Sequence, residues 1–246
     1  MTASLTSDIL PAGPDGVLVR FALRPDPVAM TAAQVLARGL QDHPPAGVVE
    51  IAPGLVSVLL RFDPARTDRA RLAARLGPQA SAIAADPPPQ PAPLRRWTIP
   101  AVFGGQHGPQ LAEVARMAGI DEQQAIQTIC GSDLNVLTIG FAPGQPYIGL
   151  LPQAWDIPRM SELNPRVPAG AVVVAVRQIV MFSAESATGW RQVAQSAFRN
   201  FDPDRNTPMP LLAGDAIRYT PVTADRLREL AAAPDGLGGA TLEVLA

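Results

Sequence analysis

The sequence predicts two domains of different class, a small α+β domain followed by a mainly-β barrel domain. Three observations carry this. A proline-rich run divides the chain, strand and helix signals alternate before it, and short strands separated by turn signals dominate after it. The dividing run, residues 84–93, holds five prolines, a composition that favours an extended, semi-rigid spacer. The expected boundaries are 1–83 for the first domain, 84–95 for the linker and 96–246 for the second.

In the first domain residues 16–21 read as a strand. Thr31 is placed to cap a helix over 32–40, whose apolar positions recur at helical spacing, and His43-Pro44-Pro45 ends it. Residues 48–51 and 57–62 flank Pro53-Gly54 and read as an antiparallel hairpin. Asp68 starts a second helix, reaching about Leu76. The order β-α-β-β-α predicts a ferredoxin-like sandwich with room for another strand. Arg20 and Arg61 are expected to point outward, and His43 reads as a surface residue.

In the second domain residues 96–103 are β-prone, and Gly104-Gly105-Gln106-His107-Gly108-Pro109 breaks them. An amphipathic helix over 110–118 ends at Gly119, and Asp121 caps another over 122–129. Strands are expected over 136–139, 171–175, 179–182, 190–194 and 216–219, which together predict a closed or nearly closed β-barrel with a few helices. After the first of these comes 140–151, with three glycines, two prolines and two aromatics in twelve residues. Proline fixes φ and glycine opens it, so this mixture predicts a shaped loop that a strand delivers to one edge of the domain.

Composition excludes several functions. The net charge of −2 leaves no basic field to attract nucleic acid or acidic lipid. All 20 basic residues are Arg, which rules out Schiff-base catalysis and a P-loop. The single cysteine, Cys130, allows no intrachain disulfide, fits a reducing cytoplasmic setting, and reads as a buried residue near a helix end. With two histidines and no cysteine cluster, no metal site is expected. Residues 1–10 show no basic stretch leading into an apolar core, so no signal peptide is expected there, and no apolar run approaches the ~20 residues of a membrane span.

Four segments of the second domain can carry chemistry. Gln106 and His107 lie among glycines, where an imidazole suits acid–base work or serves as a polar turn residue. Phe141 and Tyr147 can wall a pocket or staple a turn. Arg159 precedes the segment 164–170, in which Pro165 and Pro168 restrain Arg166; that guanidinium can grip a carboxylate or phosphate, or pair with a carboxylate of its own domain. Glu185 can act as a base or acceptor, and Trp190 can wall a pocket or fill a core. Ser186 stands outside any Gly-x-Ser-x-Gly elbow, which argues against a serine hydrolase.

Taken in order, Gly47-Val48-Val49-Glu50, Ser57 to Pro64, Gly104-Gly105 with Gly108-Pro109, the 140–151 segment, Pro165 to Gly170, Glu185-Ser186 with Gly189-Trp190, Phe201-Asp202-Pro203 and Leu212 to Asp215 resemble one family. It is allophanate hydrolase subunit 1, also described as the 5-oxoprolinase B-subunit and as the Kip-type kinase inhibitor. The resemblance implies a cyclophilin-like barrel for the second domain. It implies a homologous partner of the allophanate hydrolase subunit 2 or 5-oxoprolinase C-subunit type, and a third component, the barrel-type A-subunit. The implied activity of that assembly is ATP-dependent opening of 5-oxoproline to glutamate, or of a related lactam or ureido compound. Related paired domains occur in urea carboxylase and urea amidolyase, and one branch inhibits a sporulation histidine kinase, so urea or allophanate metabolism and kinase inhibition are the alternatives.

Within the hydrolase reading, loop position and residue chemistry give Glu185, Gln178 and His107 as catalytic candidates. They give Phe141, Tyr147, Arg166, Trp190, Gln106 and Arg177 as substrate contacts, with ATP used by the complex. The chain departs from the family pattern at Gln106 and Gln110, where an acidic residue is common, and at Ala171, where Ser is usual. Across 176–180 the family commonly has Gly-Gly-Gln-Thr-Gly, and only Gln178 is shared; at 187–190 it usually has Pro-Gly-Gly-Trp. Glutamine cannot act as a carboxylate base and Ile179 cannot donate a hydrogen bond. Val176 and Arg177 add bulk, expected to narrow a pocket or to supply a new anion contact. An altered ligand, or a specialised or catalytically impaired paralogue, is the expectation.

Overall fold

A computed structural model of the chain describes residues 5–245. Residues 1–4, the start of the stretch read above for a signal peptide, and residue 246 lie outside the described residues. The chain divides into two compact units between Ala92 and Pro93.

In the first unit β1 (Asp8–Pro11), β2 (Gly16–Arg20), β3 (Val48–Pro53) and β4 (Ser57–Phe62) form an antiparallel sheet in the order β1-β2-β4-β3. Helices α1 (Pro27–Asp42) and α2 (Arg69–Ala85) pack on one face, where Val17, Val19, Val58 and Leu60 alternate inward to meet Leu36 and Leu76. The expected β-α-β-β-α order is present as β2-α1-β3-β4-α2, while the place of the further strand departs from a ferredoxin-like sandwich. The additional edge strand precedes β2 as a hairpin, and no described strand of this sheet follows α2. Two helix limits also differ. Helix α1 begins earlier because Asp26 accepts hydrogen bonds from the backbone N–H groups of Val28 and Ala29, both at 3.0 Å, and Pro27 is pre-set for a first turn. Thr31 therefore lies inside the helix. Helix α2 continues through Gly77-Pro78 into the proline-rich run, because Leu72, Leu76, Ala80 and Ala84 hold it on the core.

The second unit begins with β5 (Arg95–Phe103), α3 (Leu111–Ala118), α4 (Glu122–Gly131), β6 (Leu134–Ile139), β7 (Pro146–Gly149) and β8 (Asn164–Val167). It continues with β9 (Ala171–Ala175), β10 (Gln178–Met181), β11 (Ser186–Thr188), β12 (Arg191–Ser196), β13 (Ala216–Pro221), α5 (Ala224–Ala231) and β14 (Thr241–Val244). Among the described residues seven strands close into a barrel in the order β12-β9-β10-β7-β6-β13-β5 and back to β12, and β14 pairs with the first half of β5. Every pairing in the ring is antiparallel except β13 with β5. An odd ring requires such a pair, since strict alternation of direction cannot close on an odd number.

Ile99, Val136, Ile148, Val174, Ile179 and Ile217 fill the barrel, and α3 and α4 add Leu111, Val114 and Ile129 to the same core. Strand β9 is buried on both faces. Val172 and Val174 point inward, while Ala171, Val173 and Ala175 join Val180, Phe182 and Trp190 in an outer cluster. The ribbon of β8 and β11, paired Val167↔Ser186 and Asn164↔Thr188, contributes Val167 to that cluster.

The segment 140–151 is a loop only in its first half. Its turn is closed by hydrogen bonds between Gly140 and Gln145, at 3.0 Å, and between Gln145 and Ala142, at 3.1 Å. Residues 146–149 form β7, paired on both sides with β6 and β10. Pro146 occupies the first strand position, where a missing donor is tolerated.

Candidate functional site

A cleft of about 200 Å³ opens on the outer face of β7 and β10. Tyr147, Val180 and Phe182 form its barrel side, and Thr188, Gly189 and Trp190 form the side at the end of β11. Phe141 and Gln145 come from the turn before β7, and Arg159 and Leu163 from the connection leading to β8. The rings of Tyr147 and Trp190 meet edge to face, with centroids 6.1 Å apart and planes at 76°. The Arg159 guanidinium lies over Trp190, 5.2 Å from the ring centroid.

Local backbone builds this arrangement. Phe141 has φ +71° and is 79% exposed, so a bulky residue holds left-handed backbone at the lip of the cleft. Such conformations cost on the order of 1–3 kcal/mol and gather at ligand clamps. Gln145 is buried at the inner end, where its Oε1 accepts from the Ser183 N–H at 3.4 Å. The segment carrying Arg159 is fixed on both sides of that residue. The Pro158 carbonyl accepts from buried Arg191 Nη1 at 2.6 Å, and the Met160 N–H donates to the Gly189 carbonyl at 2.7 Å. Gly189 allows this approach, because a Cβ there would lie 3.3 Å from the Met160 oxygen and 3.7 Å from Arg159 Cβ.

Of the residues singled out from the sequence, Phe141, Tyr147 and Trp190 come together on the cleft. Arg166 and Glu185 pair with each other on the β8–β11 ribbon, 2.7 Å apart and exposed, and neither lines the cleft. Gln178 is buried on the outer side of β10, opposite Gly149 and Ala175, and stops short of the cleft lining. Val176 (φ +45°) and Arg177 (φ +65°) form the two-residue turn between β9 and β10, a geometry that glycine adopts without strain. Arg177 Nε donates to the Leu151 carbonyl at 2.9 Å and Nη1 to Gln153 Oε1 at 3.0 Å, so it ties down the chain after β7. Ile179 points into the barrel opposite Ile148.

Gln106 is exposed and His107 half-buried in a short 3₁₀ turn, Gly105–His107, which β12 holds. Gln192 Nε2 donates to the His107 carbonyl at 2.9 Å, and Gln110 Oε1 accepts from the Gln192 N–H at 2.7 Å. The amide oxygen of Gln110 fills an acceptor position that a carboxylate could also fill, so the departure there removes charge without removing the bond.

Sequence reasoning gave no role to Arg159 and passed over Gln145, Leu163, Phe182 and Thr188. Arg159 follows Pro158 just as Arg166 follows Pro165, a parallel that was a usable signal. Away from the cleft, burial pushes the Cys130 thiol up to about 11, which makes it a poor nucleophile near neutral pH. Among the described residues no group of three His, Cys, Asp or Glu side chains is placed to hold a metal ion, and no helix is long and apolar enough to cross a membrane.

Residues 7–211 match the family described as carboxyltransferase domain, subdomain C and D. The chain is 33% identical over 189 residues to the 5-oxoprolinase B-subunit of Escherichia coli O157:H7, an alignment covering 76% of this chain and 83% of that protein. The crystal structure of TTHA0988 superposes with a TM-score of 0.70 at 30% identity over 85% of this chain, which spans 40% of that longer chain. The K. lactis urea amidolyase structure gives a TM-score of 0.76 at 18% identity, covering 98% of this chain and 16% of that one, and shares the fold. The family match reaches from ahead of β1 to Leu211 and so takes in both units; the chain belongs to the carboxyltransferase domain, subdomain C and D, family.

Proposed function

We propose that the chain is the B-type component of an ATP-dependent amide-ring hydrolase that opens 5-oxoproline or a related lactam or ureido compound. It acts with partners of the C-subunit and A-subunit types. The observation that carries this reading is the identity to a 5-oxoprolinase B-subunit over 189 residues, an alignment longer than either unit alone. The cleft supports the reading in kind. At about 200 Å³ it suits a compact ring, and its aromatic walls exclude water. A carboxamide such as that of Gln145 can donate and accept at once, as a lactam's N–H and C=O require.

The same cleft does not suit a nucleoside triphosphate. It falls below the ~300–1,000 Å³ of drug-sized sites, and the chain has neither lysine nor P-loop to cradle phosphates. ATP is therefore assigned to another part of the complex. Glu185, Gln178 and His107 do not line the cleft, so in this reading the groups that open the ring come from the partner subunits, and this chain binds and orients. The test is 5-oxoproline-dependent ATP hydrolysis by the co-purified assembly, with and without this chain. The expected outcome is turnover that requires all the subunits. A complete assembly showing no such hydrolysis would overturn the reading.

A further inference from the structure

Among the described residues Arg159 is the one charged side chain lining the cleft, and no carboxylate lines it. Several other arginines of this unit are paired. Arg166 pairs with Glu185, Arg191 with Glu113, Arg95 with Asp215, and Arg177 donates to Leu151 and Gln153. Among the described residues Arg159 has no hydrogen-bond or ion-pair partner; its contact is the face of Trp190. That contact satisfies none of its five N–H donors with an oxygen. The side chain is nevertheless held in place, by the ring beneath it and by the hydrogen bonds that fix Pro158 and Met160 on either side.

We propose that Arg159 selects a carboxylate-bearing ligand for this cleft, gripping the carboxylate while the ligand's flat body lies against Tyr147 and Trp190. A planar fork of donors matches a carboxylate in bidentate fashion. The geometry moves the anion contact away from Arg166, whose charge is already balanced by Glu185 on the ribbon. The assignment rests on the cleft being a ligand site, as in the proposed function, and not on 5-oxoproline being the ligand.

The test uses the full chain and two matched pairs of probes, 5-oxoproline with its neutral carboxamide and benzoate with benzamide. Calorimetry gives the affinities, and the indole N–H signal of Trp190 in ¹⁵N spectra reports the site. In at least one pair the acid is expected to bind roughly tenfold or more tighter than its amide, the range of a charge-assisted hydrogen bond. Arg159→Gln should abolish that preference and leave amide binding within about twofold. Arg166→Gln should leave both unchanged, and Arg159→Lys, which keeps the charge without the fork, should fall between. Unchanged melting of these variants separates loss of grip from loss of fold. If benzoate shows the preference and 5-oxoproline does not, the carboxylate assignment stands and 5-oxoproline falls as the ligand of this cleft. The assignment is overturned if neither acid outbinds its amide, if the Trp190 signal stays still, or if the preference survives in Arg159→Gln.

Discussion

Phe141 combines left-handed backbone with a ring that faces solvent, two states that a bulky residue adopts together only when its surroundings impose them. Its neighbours on the cleft, Tyr147 and Trp190, were legible in the sequence because aromatics beside glycines stand out. The cation was not, because Pro158-Arg159 and Pro165-Arg166 look alike until Glu185 is seen to pair with Arg166. Cys130 shows how burial alone sets behaviour at this scale. Desolvation raises its thiol from 9.0 to about 11. Between those values the unfolded chain has released the proton and the folded chain has not, so stability falls as pH rises through that window and is untouched below it. Cys130→Ser is expected to flatten the decline in Tm from pH 9 to 11, with a residual slope from buried Tyr219, which is also raised. Parallel melting profiles for variant and wild type would remove the thiol from the explanation.

At the scale of elements, local signals succeeded where one residue decides and failed where packing does. Asp68 and Asp121 cap their helices as read, Asp121 reciprocally with Gln124. Thr31 was a reasonable cap by type, but Asp26-Pro27 supplies both an acceptor and a pre-set φ one turn earlier. Asp26→Ala should cost about 1 kcal/mol in chemical denaturation, and Asp26→Asn should recover most of it. Equal stability of Asp26→Ala and wild type would mean that the first turn of α1 is held by its burial alone. Strand β7 was hidden because Tyr147 and Ile148 are its only β-formers, and its identity comes from having β6 and β10 on either side. The extension of α2 through Pro78 has the same origin, a buried apolar stripe that outweighs one lost backbone donor.

Across the whole molecule, the mixed α+β and barrel classes followed from the rhythm of strand and helix signals, whereas the closure did not. No local pattern reveals that β13 runs parallel beside β5, because the two strands are far apart in the chain. The pairing is latched by Asp215, just ahead of β13. It accepts from Arg95 Nε at 2.8 Å and Nη2 at 2.5 Å, and from the Leu212 N–H at 2.8 Å. Asp215 is buried and Arg95 half-buried, and removing one partner leaves the other's charge uncompensated. Asp215→Ala is expected to lower stability by roughly 2–4 kcal/mol, well beyond the ~0–1 kcal/mol expected of Arg166→Ala at the exposed pair. Similar losses for the two variants in urea titrations would show that the latch is not what holds the closure. The parallel pair also imposes a schedule on synthesis. About 110 residues separate Phe103 from Ala216, so a ribosome adding ~5–20 residues per second exposes β5 roughly 6–22 s before its parallel neighbour exists. Once β12 is made, and until β13 follows, the nascent sheet has two unpaired edges, at β5 and β6, and slowed translation over residues 197–215 would show first as aggregated product, with the finished protein as stable as before.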